Sequence, residues 1–215
     1  MEIQIKSLVD GAKEAEGVAV IIDVLRASST ITTILAKGAE FVIPLEKIKD
    51  ALDMIKKNPD YTLASDKRQL RDMGYYDNSP TKLSEMNLKG KKFILLTTNG
   101  TRCIVNTKKA DEVIVGSFVN VSAIINYLKK KNELVTLVPV GKIGEKSVED
   151  ESCAEYIKNR LEGRETDIEK IKKKVKGSTW AQHLIKTNRK EDVIYCLNLD
   201  KYNIVPRLIN GKLKL

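Results

Sequence analysis

Val18-Ala19-Val20-Ile21-Ile22-Asp23-Val24-Leu25-Arg26-Ala27-Ser28-Ser29-Thr30 runs from a wholly apolar segment into a carboxylate, an arginine and a group of hydroxyls. A strand with one wet face alternates apolar and polar residues, whereas one covered on both faces reads as a continuous apolar run, as residues 18–24 do apart from Asp23. Beyond it, residues 28–37 repeat at helical spacing. Phe93-Ile94-Leu95-Leu96 is a second apolar run, and it too enters a polar turn and a helical pattern, Thr97-Thr98-Asn99-Gly100-Thr101-Arg102. Strands buried on both faces need helices on both sides of their sheet, which predicts the α/β class with three α/β/α layers and a largely parallel or mixed sheet.

The pattern extends on either side. Strands are expected at 3–8, 18–24, 41–44, 61–64, 92–97, 112–115 and 134–138, with helices at 28–37, 46–57, 101–108 and 119–130. Residues 68–88, containing Met73-Gly74-Tyr75-Tyr76-Asp77-Asn78-Ser79-Pro80, are turn-rich and read as a loop over the site. After Glu149 the chain becomes mainly helical (150–161, 167–175, 179–187), and it is expected to close with a strand at 202–208. With no internal repeat and no Gly, Ser or Pro linker, residues 1–215 read as one domain: a β-α core, 1–148, and a helical segment with a final strand, 149–215, packed on the same core.

Composition narrows the functional classes. The 215 residues are 42% apolar and 31% charged, a globular balance that excludes disordered and fibrous chains. No apolar run approaches the ~18 residues of a membrane span, and Met1-Glu2-Ile3-Gln4-Ile5-Lys6 lacks a signal-peptide core, so a soluble cytoplasmic protein without membrane contact is expected. Cys103, Cys153 and Cys196 have no C-x-x-C spacing and read as buried thiols rather than disulfide or zinc partners. The net charge of +9 invites a nucleic-acid reading, but much of the excess lies in a Lys-rich stretch between 158 and 190, and aromatic residues are only 5%. A small anionic substrate is the better match, with no nucleic-acid partner. The single histidine, His183, excludes two-histidine phosphatases and H-E-x-x-H sites and reads as a helix-surface or packing residue. A P-loop, a G-x-G-x-x-G fingerprint, a cysteine-phosphatase loop and a D-x-D motif are all missing.

Polar turns at strand ends carry the chemistry. Asp23 can hold a magnesium ion, Arg26 can fork onto a phosphate or carboxylate, and the N–H groups of a helix start favour an anion. The plainer reading makes Ser28 or Ser29 an N-cap with Asp23 as its companion. In the second turn Gly100 permits close backbone approach, Thr98, Asn99 and Thr101 offer donors and Arg102 adds charge; an ordinary Asn-Gly turn is the plainer reading. Gly116-Ser117 is a weaker third turn. Val138-Pro139-Val140-Gly141-Lys142 leads to Ser147-Val148-Glu149-Asp150-Glu151, whose carboxylates either cap a helix or join Asp23 around magnesium. Ligands of open α/β sheets bind beyond the carboxyl ends of the strands, so these turns predict one anion site. Arginines and a hard cation around a phosphate are the apparatus of phosphoryl transfer.

Ile21 through Ile31 and Leu96 through Arg102 resemble two signature blocks of the 2-phosphosulfolactate phosphatase family. The likeness continues through Asp77-Asn78-Ser79-Pro80, Val115-Gly116-Ser117, Ser147 to Asp150 with Cys153-Ala154, and Asp192 to Leu197 with Val205-Pro206. It implies an α/β, magnesium-dependent acid phosphatase that converts 2-phosphosulfolactate to 3-sulfolactate and phosphate in coenzyme M biosynthesis, with related 2-hydroxycarboxylate phosphate esters as further substrates. One block departs: where the family carries a Gly-Glu-Arg-Gly-like stretch, this chain has Ala64-Ser65-Asp66-Lys67-Arg68-Gln69. Asp66 then stands for the glutamate, one methylene shorter, and Lys67 or Arg68 for the basic residue.

The expected site therefore comprises catalytic Asp23, Arg26, Asp66 and Arg102; substrate-binding Ser28, Ser29, Lys67, Arg68, Asn78, Thr98, Asn99, Gly100, Thr101 and Ser117; and magnesium ligands Asp23, Glu149 and Asp150. A homo-oligomer is compatible with the sequence, which encodes no subunit number. The alternative is a noncatalytic binder of a small phosphorylated or sulfonated acid.

Overall fold

In the computed structural model, which describes residues 1–215, the apolar run at Val18 becomes the second strand of a ten-stranded sheet. The elements in chain order are β1 (Ile3–Ile5), α1 (Leu8–Lys13), β2 (Val18–Ile22), α2 (Ala27–Ala36), β3 (Phe41–Leu45), α3 (Ile48–Lys57), β4 (Tyr61–Ser65), α4 (Arg68–Asp72), β5 (Tyr76–Asp77), α5 (Pro80–Ser84), β6 (Lys92–Leu96), α6 (Gly100–Asn106) and β7 (Glu112–Gly116). A 3₁₀ turn (Phe118–Asn120) leads into α7 (Val121–Lys131), β8 (Val135–Pro139), α8 (Val148–Leu161), α9 (Ile168–Lys176), α10 (Thr179–Lys186), α11 (Lys190–Cys196), β9 (Arg207–Ile209) and β10 (Lys212–Lys214).

The strand order is β1-β8-β2-β7-β9-β10-β3-β6-β4-β5. Within β1-β8-β2-β7 and within β3-β6-β4-β5 every pairing is parallel, and the β9–β10 hairpin joins the two groups by antiparallel contacts at Ile114↔Arg207 and Leu213↔Val42. The sheet is thus mixed, with two parallel halves and an antiparallel seam.

Alternation along β2 explains why it is apolar throughout. Ala19 and Ile21 enter one core with α1, α2 and α6, while Val18, Val20 and Ile22 enter another with α7 to α11. In β6, Phe93 and Leu95 join the first core, and Ile94 and Leu96 join a third with α3 and α4. Each half is therefore an α/β/α sandwich, and the first core, with α1, α2 and α6, is common to both. No helix is long and apolar enough to cross a membrane.

Some boundaries differ from expectation. The strand expected at 3–8 stops at Ile5 because Leu8 already begins α1. Residues 68–88 are not a plain loop but hold α4, β5 and α5, with Pro80 at the first position of α5 and Ser79 accepting from Lys82 N. The single strand expected at 202–208 is replaced by the β9–β10 hairpin, turned at Asn210-Gly211 with φ of 49° and 75°. Both turn residues occupy the left-handed region, the reason Asn-Gly pairs favour tight hairpins.

Candidate active site

β2 delivers Asp23 to the sheet edge, and its surroundings hold it there. Ser28 Oγ accepts from Asp23 N at 2.9 Å and donates to Ile21 O at 3.1 Å, while Asp23 Oδ1 accepts from Ala27 N at 3.2 Å. Ser29 Oγ donates to Val24 O at 2.9 Å. The first turn of α2 is buried on every side, so both serine hydroxyls satisfy backbone groups and neither lines the cavity expected of substrate donors.

β6 delivers the second turn to the same place. Thr97 N donates to Thr101 Oγ1 (3.0 Å) and Thr101 N to Thr97 Oγ1 (3.1 Å), a reciprocal clasp that uses up Thr101 as a ligand donor. Gly100 works by what it lacks: a Cβ there would sit 2.5 Å from Asp23 Oδ2 and 2.7 Å from Ala27 Cβ. Thr98 N donates to Asp66 Oδ2 at 2.9 Å, and Lys67 Nζ to Thr98 Oγ1 at 3.0 Å, so the end of β4 is tied to the end of β6.

The third contribution comes from beyond β8. Ser147 caps α8 by accepting from Asp150 N, which presents Glu149 and Asp150 inward. Asp150 Oδ1 accepts from Val24 N (2.8 Å) and Oδ2 from Gly141 N (3.1 Å), stitching two loops together. Glu149 Oε2 accepts from Ser178 Oγ at 3.2 Å. Lys142 Nζ lies 2.9 Å from the centre of the Trp180 ring, and Trp180 in turn donates Nε1–H to Leu25 O (2.9 Å) and stacks on His183 at 4.7 Å.

These parts enclose one cavity of about 410 Å³, bordered by Asp23, Asp66, Glu149 and Asp150, by Arg26, Arg71, Lys142 and Arg189, and by Asn78, Thr98 and Asn99. Burial dominates the buried carboxylates, and neighbouring negative charge adds to it at Asp23 and Asp150. Burial, opposed by the Ala27 N–H and reinforced by Asp66 and Glu149, pushes the Asp23 carboxyl up to about 7. Burial first, then Asp23 and Glu149, holds the Asp150 carboxyl well above the ordinary range, and burial raises that of Glu149. Asp66 Oδ1 is buried with no hydrogen-bond partner. Such a group is short of positive charge.

The arginines gather elsewhere on the wall. Arg26 donates Nη1–H to Asp192 Oδ2 (2.8 Å) and reaches both Asp77 oxygens at 3.3 Å. Arg189 Nε donates to Asp77 Oδ2 at 3.3 Å, and Arg71 Nη1 stands 3.7 Å from Asp77 Oδ1. Desolvation would raise the Asp77 carboxyl, but these three guanidiniums outweigh it and hold the group below its ordinary value.

Of the expected site residues, Asp23, Arg26, Asp66, Asn78, Thr98, Asn99, Glu149 and Asp150 border the cavity; Lys67, through an exposed bond to Thr98, and Gly100, packed against Asp23, lie next to its lining. Arg102 does not meet Arg26: it is 52% exposed and pairs with Glu46 at 3.3 Å, because α6 turns that face to solvent. Arg68, 87% exposed, pairs with Asp72 along α4, and Ser117 is buried in the 3₁₀ turn, its N–H on Asn120 Oδ1. Arg71, Asp77, Trp180, Arg189 and Asp192 have places at or behind the cavity wall and had no expected role. Only Asp77 and Asp192 fell in blocks that carried the family likeness; Arg71, Trp180 and Arg189 lie in segments without a motif.

The model of the 2-phosphosulpholactate phosphatase family matches residues 3–211. The chain belongs to this family. Proteins named "Probable 2-phosphosulfolactate phosphatase" from Thermotoga maritima and Clostridium acetobutylicum are 34% and 33% identical to it, covering 90% and 91% of this chain and 89% and 91% of their own. One from Thermoplasma volcanium is 31% identical over 96% of this chain and 97% of its own. Family membership makes the chain a phosphoric monoester hydrolase.

Proposed function

We propose that the protein is a magnesium-dependent phosphatase acting on 2-phosphosulfolactate, or on a related 2-hydroxycarboxylate phosphate ester, to give 3-sulfolactate and inorganic phosphate as in coenzyme M biosynthesis. The observation that carries the reading is the meeting of four carboxylates, three of them buried, and four cationic side chains around one cavity. Names of the relatives supply the substrate.

The residues present suit a magnesium ion. Asp66 Oδ1 has no partner, and burial raises Asp23, Glu149 and Asp150, with neighbouring carboxylates adding to it at Asp23 and Asp150, a deficit that a hard divalent cation relieves. No three of the carboxylates form a ready-made cage, which agrees with an ion that keeps several waters and takes only one or two carboxylates directly. Asp23, Glu149 and Asp150 would hold it, one or two directly and the rest through water, Asp150 with both oxygens already accepting from backbone N–H groups. When bound, magnesium neutralises charge on the phosphoryl oxygens and orients them.

The chain's own groups do the rest. Lys142 and the backbone at Thr98 and Asn99 border the place for the phosphoryl group, and Arg26 stands close enough to favour the ionised form of Asp23. Asp66, with its unpartnered oxygen, takes the proton of the attacking water. Hydrolysis breaks the ester P–O bond and adds the water oxygen to phosphorus, and the proton that Asp66 takes from the water is passed on to the departing alkoxide oxygen, which becomes the free hydroxyl of the hydroxy acid.

The test is phosphate release from 2-phospholactate and 2-phosphosulfolactate after chelation and after adding back magnesium. Release that requires the metal supports the reading. No release at any pH from about 4 to about 8, together with tight binding of 3-sulfolactate, would instead make the protein a noncatalytic binder.

A further inference from the structure

The carboxylates and the arginines do not mix evenly around the cavity. Lys142 faces Glu149 and Trp180, whereas Arg26, Arg71 and Arg189 all converge on Asp77. Resting on the phosphatase reading above, we propose that the Asp77-clasped arginines form a second subsite that reads the acid group of the substrate, carboxylate or sulfonate, separately from its phosphate. Arg189 is its specificity-determining residue.

Charge decides first. Asp77 and Asp192 face three guanidiniums, which leaves one net positive charge in a partly buried pocket, where it is screened less than on an open surface. An acid group placed beside Asp23, Asp66, Glu149 and Asp150 would meet repulsion, so a substrate with two anionic ends is oriented by the wall itself. Donor supply points the same way. Six hydrogen bonds to protein acceptors use a minority of the roughly fifteen N–H groups that three guanidiniums carry. Asn78, only 3% exposed, borders the same cavity, and the N–H groups of its side-chain amide are of the type that donates to an oxyacid.

Rigidity differs among the three. Arg26 is buried and bound by both Asp77 and Asp192, and Asp192 is itself fixed by Ser79 Oγ (2.7 Å) and Thr81 N (3.3 Å). Arg26 is therefore preorganised, with both terminal nitrogens already bonded to carboxylates. Arg189 is about a quarter exposed, with Nε on Asp77, Nη1 on Thr187 O, and Nη2 without a protein acceptor. A planar fork of this kind suits an oxyacid, and lysine cannot reproduce it.

Two measurements test the assignment. In the first, kcat/KM is compared for 2-phospholactate and isopropyl phosphate, which differ by a carboxylate replaced with a methyl group. Arg189→Gln should lower the ratio of the two values about 10- to 100-fold, the loss expected for charge-assisted hydrogen bonds, with Arg189→Lys restoring only part of it. In the second, calorimetry follows 3-sulfolactate and inorganic phosphate separately, and needs no turnover. Affinity for 3-sulfolactate should fall at least about 10-fold in Arg189→Gln while that for phosphate changes far less. Equal losses for both ligands, or no loss for 3-sulfolactate, would overturn the subsite. If Arg189→Gln does not fold, Arg71→Gln on the facing wall gives the same two readouts. Absence of turnover in the wild type would sink the phosphatase reading, and the calorimetric result would still decide the subsite.

Discussion

Asp23→Asn should make the cation-free protein more stable and inactive at once. Moving a carboxyl from 3.8 to about 7 costs its ionised form about 4 kcal/mol in the folded state. The folded protein holds this proton more tightly than the unfolded chain, so the cost is absent below the ordinary carboxylate range. It grows as pH rises from about 4 to about 7 and is complete above that. Asparagine keeps an oxygen for Ala27 N but never ionises. Because Asp66, Glu149 and Asp150 share the repulsion and relax when Asp23 is neutral, about 2–4 kcal/mol of relief is expected at pH 8, or a Tm higher by about 4–15 °C for a chain of this size. The difference should shrink to under about 2 kcal/mol at pH 5. Thermal unfolding followed by circular dichroism in chelator at both pH values measures it, and magnesium-dependent phosphate release should drop at least about 100-fold. A variant less stable than wild type at pH 8, or a gap that does not narrow toward pH 5, would refute the argument that Asp23 is held under electrostatic stress.

Gly100→Ala drives a methyl into Asp23 Oδ2 and Ala27 Cβ, so kcat should fall by about 100-fold or more, the penalty of displacing the carboxylate proposed to hold the metal by about an ångström. Arg102→Ala should leave kcat/KM within about threefold of wild type in a steady-state assay, since that side chain pairs with Glu46 in solvent and a surface ion pair contributes little. Asp77→Asn leaves Arg71 and Arg189 without their shared carboxylate and should destabilise the protein by about 2–4 kcal/mol by urea titration at pH 7. Because the Asp77 carboxyl is depressed in the folded state, its contribution is present above the ordinary carboxylate range and lost only as pH falls below it; the variant and wild type should converge in strong acid.

What could be read from the chain and what could not separate along a physical line. β2 and β6 were legible because each face of each strand meets a different core, and that demand is written into consecutive residues. Asp23 and Asn99 were legible for the same reason, as the points where those runs stop. Arg102 was not, because the direction of a side chain on α6 depends on how that helix rolls against β2 and β3. Ser28 and Ser29 looked like donors to a ligand, yet full burial of α2 turned their hydroxyls to the backbone. Arg71 and Arg189 lie 118 positions apart and meet only through Asp77, a three-body contact with no local signature. Asn210-Gly211, by contrast, is a local signal whose hairpin was missed.

The antiparallel seam at β9 and β10 bears on how activity can arise. Asp23, Lys142, Glu149 and Asp150 hang from the parallel group containing β2, and Asp66, Asp77, Asn78 and Thr98 from the group containing β6. Neither group owns a complete set of reacting or recognising atoms. On the proposed reading a substitution in the β9–β10 seam that loosens the fit of the two groups would lower activity without touching any residue of the cavity.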